Sequence, residues 1–299
     1  MKEKISFDDQ ISRNKAKSVF LMIIIFFVFI LLGYLISFLF DPGYFFVVMS
    51  ISVIFSLTYI LFSYYNAHKI ALASVGAEPA SEREYRQLHN AVENMAIAAG
   101  LPKPKVYVMK SEEINALASG RNPENAVICV TTGALKKLNK EELEGVISHE
   151  MAHIANYDVR FMTLATIMIG LIAIISEIFL RSFWFSNRDS RDRTGALILL
   201  ASILVAILAP ILAQLISLAI SRSREYTADA TGVKFTRYPA GLANALKKIK
   251  YEHVSSDELK RYPKEVAPLF ISDPFKKKVS SLFMTHPPIE ERIRRLEAM

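Results

Sequence analysis

His149, Glu150 and His153 stand within five positions of one another in the stretch EGVISHEMAHIANYDVR, residues 144–160. On a helix the two histidines lie one turn apart, offset by about 40°, so both imidazoles can hold one Zn²⁺ at about 2.1 Å. Glu150 falls about 100° round from His149, beside the metal and not on it. A carboxylate there can act as base toward a water that the metal activates. Short motifs also recur by accident, so a third ligand has to carry the reading further.

A catalytic zinc takes three protein ligands and keeps a fourth position open. The remaining histidines are His68, His89, His253 and His286. A carboxylate in SRSREYTADA, residues 221–230, is the stronger candidate. One apolar stretch begins just after the histidine helix and another ends just before this segment, which would tether both at one membrane surface. Glu225 is the expected third ligand. Asp229, one turn on and on the same face, can accept the outer N–H of a ligating histidine and fix its tautomer. The competing reading of both acids is an ordinary helix-surface pair with Arg222 or Arg224.

The elements that must position these groups come from a chain of 299 residues, 52% hydrophobic, with net charge +7 and mean hydropathy +0.27. That is too apolar for an ordinary soluble domain. No basic patch is interleaved with stacking aromatics, so lipid headgroups suit the positive charge better than nucleic acid does. A single cysteine, Cys129, cannot form an internal disulfide and reads as strand packing.

Four stretches are long enough to span a bilayer: 19–40, 44–64, 161–180 with one acid, Glu177, and 195–220 with Pro210 and Gln214 inside it. Lys2, Lys4, Arg13, Lys15 and Lys17 precede the first, and the Asp41-Pro42-Gly43 turn carries no positive charge. This places the N terminus in the cytoplasm, together with residues 65–160 and 221–299. Arg181, Arg188, Arg191 and Arg193 sit on the side that should be outside. They leave open whether spans three and four fully cross. The expected organisation is a membrane hairpin over 1–64, a cytoplasmic region over 65–160, a second hairpin over 161–220 and a cytoplasmic region over 221–299.

Within 65–160, Ser81 and Glu84 form a capping-box signature ahead of a helix that Gly100 ends. Lys105 to Met109 alternates as a strand, and 115–119 with 126–131 flank a Gly-Arg-Asn-Pro turn as a hairpin. Asn139 and Glu142 form a second capping box, opening the helix that carries His149. Short amphipathic helices follow near 239–251 and 288–297. The expected fold class, from the apolar stretches and the His149–His153 helix motif, is a mostly α-helical integral membrane protein with a small α+β zincin-like metallopeptidase domain.

HEMAHIAN at 149–156, SRSREYTADA at 221–230, NALASGRNPENAVICVTTGAL at 115–135 and THPPIEERIRRL at 285–296 resemble the HtpX-type membrane zinc metallopeptidases. These are bacterial and archaeal relatives of the CAAX prenyl endopeptidases. The resemblance implies one Zn²⁺ per chain on His149, His153 and Glu225, with Glu150 catalytic. It implies supporting roles for Asn115, at the edge of the site, and for His286, at the tetrahedral intermediate. It also implies a multi-pass cell (inner) membrane protease with a cytoplasmic site. Its partners would be misfolded or damaged membrane proteins, the lipid bilayer and other quality-control proteases, and no nucleic acid.

Peptide is expected to lie extended along an edge strand, 126–131, paired by backbone hydrogen bonds that read little side-chain identity. A dedicated processing peptidase of the prenyl-endopeptidase type would need a more enclosed chamber. A transporter or scaffold would need more polar groups within the bilayer than Glu177 and Gln214.

Overall fold

The computed structural model describes residues 7–38, 41–167, 170, 222–252, 266, 269–272 and 287–299. Most of spans three and four, Glu177, Gln214, His253 and His286 therefore lie outside the described residues.

The first two candidate spans form long antiparallel helices, α1 (Phe7–Ser37) and α2 (Phe45–Ser74), joined through a 3₁₀ turn at Pro42–Tyr44. The stretches Ile11–Tyr34 and Pro42–Ser74 have hydropathies of 2.6 and 2.4 and are long enough to cross a membrane. Phe20, Phe27, Phe46 and Ile54 all point outward, 63–79% exposed. Apolar surface on that scale calls for a lipid or protein covering. Inside the hairpin, Phe29 meets Phe55 and Tyr59 edge to face at 5.4 and 5.5 Å.

Beyond residue 64, α2 continues and delivers Ala71 and Leu72 into a core. A four-stranded sheet follows: β1 (Glu78–Pro79), β2 (Lys105–Met109), β3 (Ala116–Gly120) and β4 (Ala126–Thr131), in the order β1-β2-β4-β3. β3 and β4 form the antiparallel hairpin read from the sequence, with Leu117 opposite Cys129. β2 pairs parallel to β4, Lys105 opposite Val127. That pairing corrects the expected edge. The stretch 126–131 is an interior strand, and the edge nearest the histidines belongs to β3. β4 is buried along its whole length because it is covered on both faces.

One face of the sheet (Val106, Val108, Ala116, Ile128, Val130) packs on helices α3 (Arg86–Ala99) and α5 (Lys140–Ala155). The other face (Met109, Leu117, Val127, Cys129) packs on the end of α2 and on Phe270. A second correction concerns α3. It starts at Arg86 without a side-chain cap, and the backbone N–H of Tyr85 bonds the Ser81 carbonyl in a separate turn. The Ser81/Glu84 pair does not cap the helix. Gly100 does end it, in the left-handed conformation at φ 67°. The short helix α4 (Thr132–Lys137) leads into α5, whose capping box forms in full at Asn139 and Glu142. A helix over 158–167 (α6) follows α5 after a two-residue turn. The described remainder is α7 (Arg222–Thr236), α8 (Pro239–Tyr251) and α9 (Ile289–Glu297).

Candidate active site

The middle of α5 is buried all round, the condition under which three polar side chains need partners close at hand. α7 crosses it at the His149 turn, where Gly232 makes the approach. A Cβ there would stand 3.0 Å from Ser148 Oγ and 3.1 Å from the His149 nitrogen. That crossing brings Glu225 to the histidines across more than 70 residues of chain.

The ligand atoms of His149, His153 and Glu225 all lie within 4.8 Å of one another. His153 Nε2 is 3.2 Å from His149 Nε2 and 3.5 Å from Glu225 Oε1, and His149 Nε2 is 3.7 Å from Glu225 Oε2. Tetrahedral ligands at the Zn–N distance would be separated by about 3.4 Å. The donor set and spacing therefore fit a divalent ion of zinc's size with little movement. The same three groups could hold other divalent ions too.

Each histidine's outer nitrogen has a carboxylate. His149 Nδ1 lies 2.9 Å from Asp229 Oδ1, and His153 Nδ1 lies 3.1 Å from Asp158 Oδ2. Such pairs set tautomer and ring orientation, leaving both Nε2 atoms facing the would-be metal. The helix-surface alternative for the two acids does not hold: Glu225 and Asp229 are 2% and 3% exposed. Asp229 is bound by Arg292, while Arg224 turns to Asp158 at 3.1 Å.

Arg292 and Asp158 escaped the sequence reading. In IEERIRRLE, Ile289, Arg292, Ile293 and Leu296 form one helical stripe, so Arg292 occupies a core position. A charge in such a stripe was the available signal. Asp158 has only its place, five residues after His153, to recommend it. Arg292 Nη2 lies 3.3 Å from His149 Nδ1, and Nη1 lies 3.6 Å from Glu225 Oε2.

Burial, partly offset by the charge of His153 and reinforced by Glu225, pushes the Glu150 carboxyl up to about 7. The Ala118 amide donates to this carboxylate, and Glu150 Oε1 is buried with no hydrogen-bond partner among the described residues. Burial alone would raise Asp229, but the Arg292 guanidinium overrides it and holds the carboxyl down at about 2. His149, buried and beside Arg292, is held neutral, its pKa lowered. His153 moves the other way: burial disfavours its charge, yet Asp158 and Glu225 together raise it.

Asn115 stands one residue before β3. Its side-chain amide donates to the Ser272 carbonyl at 3.0 Å, and its Oδ1 accepts from the Ala116 N–H. It thereby pins the 269–272 segment, where Leu117 bridges Phe270 and the Ile271 N–H bonds the Ala116 carbonyl. Asn156 is fully buried just past α5, and Cys129 is buried in β4 as packing.

The sequence profile of peptidase family M48 matches residues 82–299. A protein described as protease HtpX homolog from Caldanaerobacter subterraneus is 46% identical over 275 residues, covering 87% of this chain and 90% of that protein. Another of the same description, from Dictyoglomus turgidum, is 43% identical over 295 residues, covering 98% and 95%. Among solved structures, the crystal structure of S. mikatae Ste24p aligns at a TM-score of 0.45 and 19% identity, covering 95% of this chain and 65% of that one.

Proposed function

The chain belongs to peptidase family M48, and from that premise we propose that it is a zinc-dependent endopeptidase anchored in the membrane by α1 and α2. The observation that carries the reading is the meeting of His149, His153 and Glu225 within 4.8 Å, with Glu150 beside them. A divalent ion there supplies Lewis acidity, polarising the scissile carbonyl and making water a better nucleophile. The rest falls to the protein. Glu150 takes the water's proton on Oε1 and returns it to the leaving amine, and a carboxyl poised near neutrality suits both transfers. Asp229 and Asp158 keep the imidazoles aimed, and Arg292 neutralises the acids around them.

Substrate is proposed to lie along the outer edge of β3 beyond Leu117, over Ala118 to Gly120, beside the Ala118 amide that reaches Glu150. Phe270 and Ile271 hold the neighbouring Ala116–Leu117 stretch of that edge. Pairing through backbone groups discriminates little among side chains, which suits the clearance of unfolded segments of damaged membrane proteins. His286 remains a proposed donor to the tetrahedral intermediate. The site would face the cytoplasm of a cell whose membrane holds the protein, as the N-terminal basic residues argue. The test is casein degradation by detergent-purified protein, with zinc and after chelation, beside Glu150→Gln. Zinc-dependent cleavage that Glu150→Gln abolishes supports the reading; cleavage indifferent to both would overturn it.

A further inference from the structure

The profile of the peptidase family begins at residue 82, yet a side chain far upstream of it reaches the candidate site. Asn14, near the start of α1 and 4% exposed, donates from Nδ2 to Asp158 Oδ1 at 2.7 Å and to the Asn156 carbonyl at 3.0 Å. Asp158 is fully buried and holds His153 Nδ1 with its other oxygen at 3.1 Å, while Arg224, one residue before Glu225, reaches the same Oδ1 as Asn14. One carboxylate thus joins α1, the histidine helix and the Glu225 helix.

The turn that carries Asp158 is itself unusual. Tyr157 has φ 58°, the left-handed region that a bulky L-residue avoids. α1 grips that turn at two further points. The Asn156 carbonyl accepts from Asn14, and the Lys15 ammonium lies 4.4 Å over the Tyr157 ring. Surroundings that over-determine a strained backbone fix the direction of the next side chain. That side chain is Asp158.

We infer that Asn14 is a positioning residue of the metal site, acting through Asp158 on His153, so that α1 is part of the site's framework as well as a membrane anchor. The inference rests on the reading of His149, His153 and Glu225 as metal ligands. Removing the amide leaves Asp158 free to turn toward Arg224 and loosens the imidazole, which lowers affinity for the ion.

The test is zinc affinity of the full chain in detergent, stripped of metal and titrated with zinc alone, alongside thermal melting of the metal-free form. Asn14→Leu and Asn14→Ala both remove the amide without introducing a charge, and either one suffices if the other does not fold. Each is expected to weaken zinc binding about 10- to 20-fold, the lower part of the range for groups supporting a ligand. Melting of the metal-free chain should drop modestly, since buried Asp158 loses one donor but keeps Arg224 and His153. Adding Asn14→Leu to Asp158→Asn should cost less than a further twofold, since both remove one pathway. Wild-type affinity in the Asn14 variants overturns the inference while the metal-site reading stands. So does a loss that multiplies with that of Asp158→Asn. Absence of zinc binding by the unsubstituted chain would instead refute the metal-site reading, and this inference with it.

Discussion

Arg292 clasps Asp229 with two parallel hydrogen bonds, Nε to Oδ2 at 2.9 Å and Nη2 to Oδ1 at 2.7 Å, both residues being almost wholly buried. The pair joins the last helix of the chain to the one that carries Glu225. It also explains how Asp229 can be a permanent anion behind His149: the fork of a guanidinium satisfies both oxygens at once. Asp229 then holds His149 without needing a proton of its own.

Asp229→Asn should weaken zinc binding about 10- to 100-fold, because the neutral amide orients and polarises His149 less well. Arg292→Met should act differently. It strands a buried carboxylate, so the metal-free chain should lose about 3–5 kcal/mol of stability. Arg292→Lys should rescue only part of that, since an ammonium cannot make the fork. Melting curves with and without zinc separate the two effects. Equal behaviour of Asp229→Asn and Arg292→Met in both assays would count against this division of labour.

Glu150 and Glu225 should both lose activity on the same substitution but differ in whether zinc stays bound. Glu150→Gln fills the same space but cannot take a proton, so zinc should stay bound while casein cleavage falls by about 100-fold or more. Glu225→Gln removes an anionic ligand, so zinc and activity should go together. Metal content and cleavage rates on the purified variants decide it. Full zinc occupancy in Glu225→Gln would move the third ligand elsewhere, with His286 next in line.

Zinc uptake should depend on pH in a definite direction. His153 is raised to about 9 in the metal-free chain, so near neutrality it carries a proton that the ion must expel. Affinity should therefore rise with pH through the neutral range, by about tenfold per unit for one proton released, and level off above about 9. An unperturbed histidine would level off near 6.5 instead. A flat affinity between pH 7 and 8.5 would contradict the role given to Asp158 and Glu225 in holding that proton.

Ile97, 74% exposed on α3, offers a handle on orientation. A cysteine placed there should resist a membrane-impermeant thiol reagent in intact cells and react once the membrane is opened. Cys129 is buried and should stay silent in both cases. Labelling of Ile97→Cys from outside would invert the proposed topology.

Much of this architecture is legible along the chain because it is local. Apolar runs, the Asn139/Glu142 box, the Gly100 stop and the four-residue spacing of the histidines each act within a turn or two of backbone. Hydrogen bonds and side-chain faces there follow from sequence separation alone. Where a local signal competed with packing, packing prevailed: Ser81 and Glu84 read as a cap, yet the helix waits until Arg86.

The order of the strands and the surroundings of the ligands belong to the tertiary structure. Parallel pairing of β2 with β4 turns 126–131 into an interior strand; its continuous apolar run argues against an exposed edge, but which strand covers its far side is decided only by the tertiary structure. Asp158, Arg292 and Asn14 acquire their roles from contacts made across 63 to 144 positions, or around a left-handed turn. Buried charges must find compensation wherever the fold brings it. The motif in the sequence names the atoms that could hold a metal; the partners that aim them exist only once α1, α7 and α9 have packed around α5.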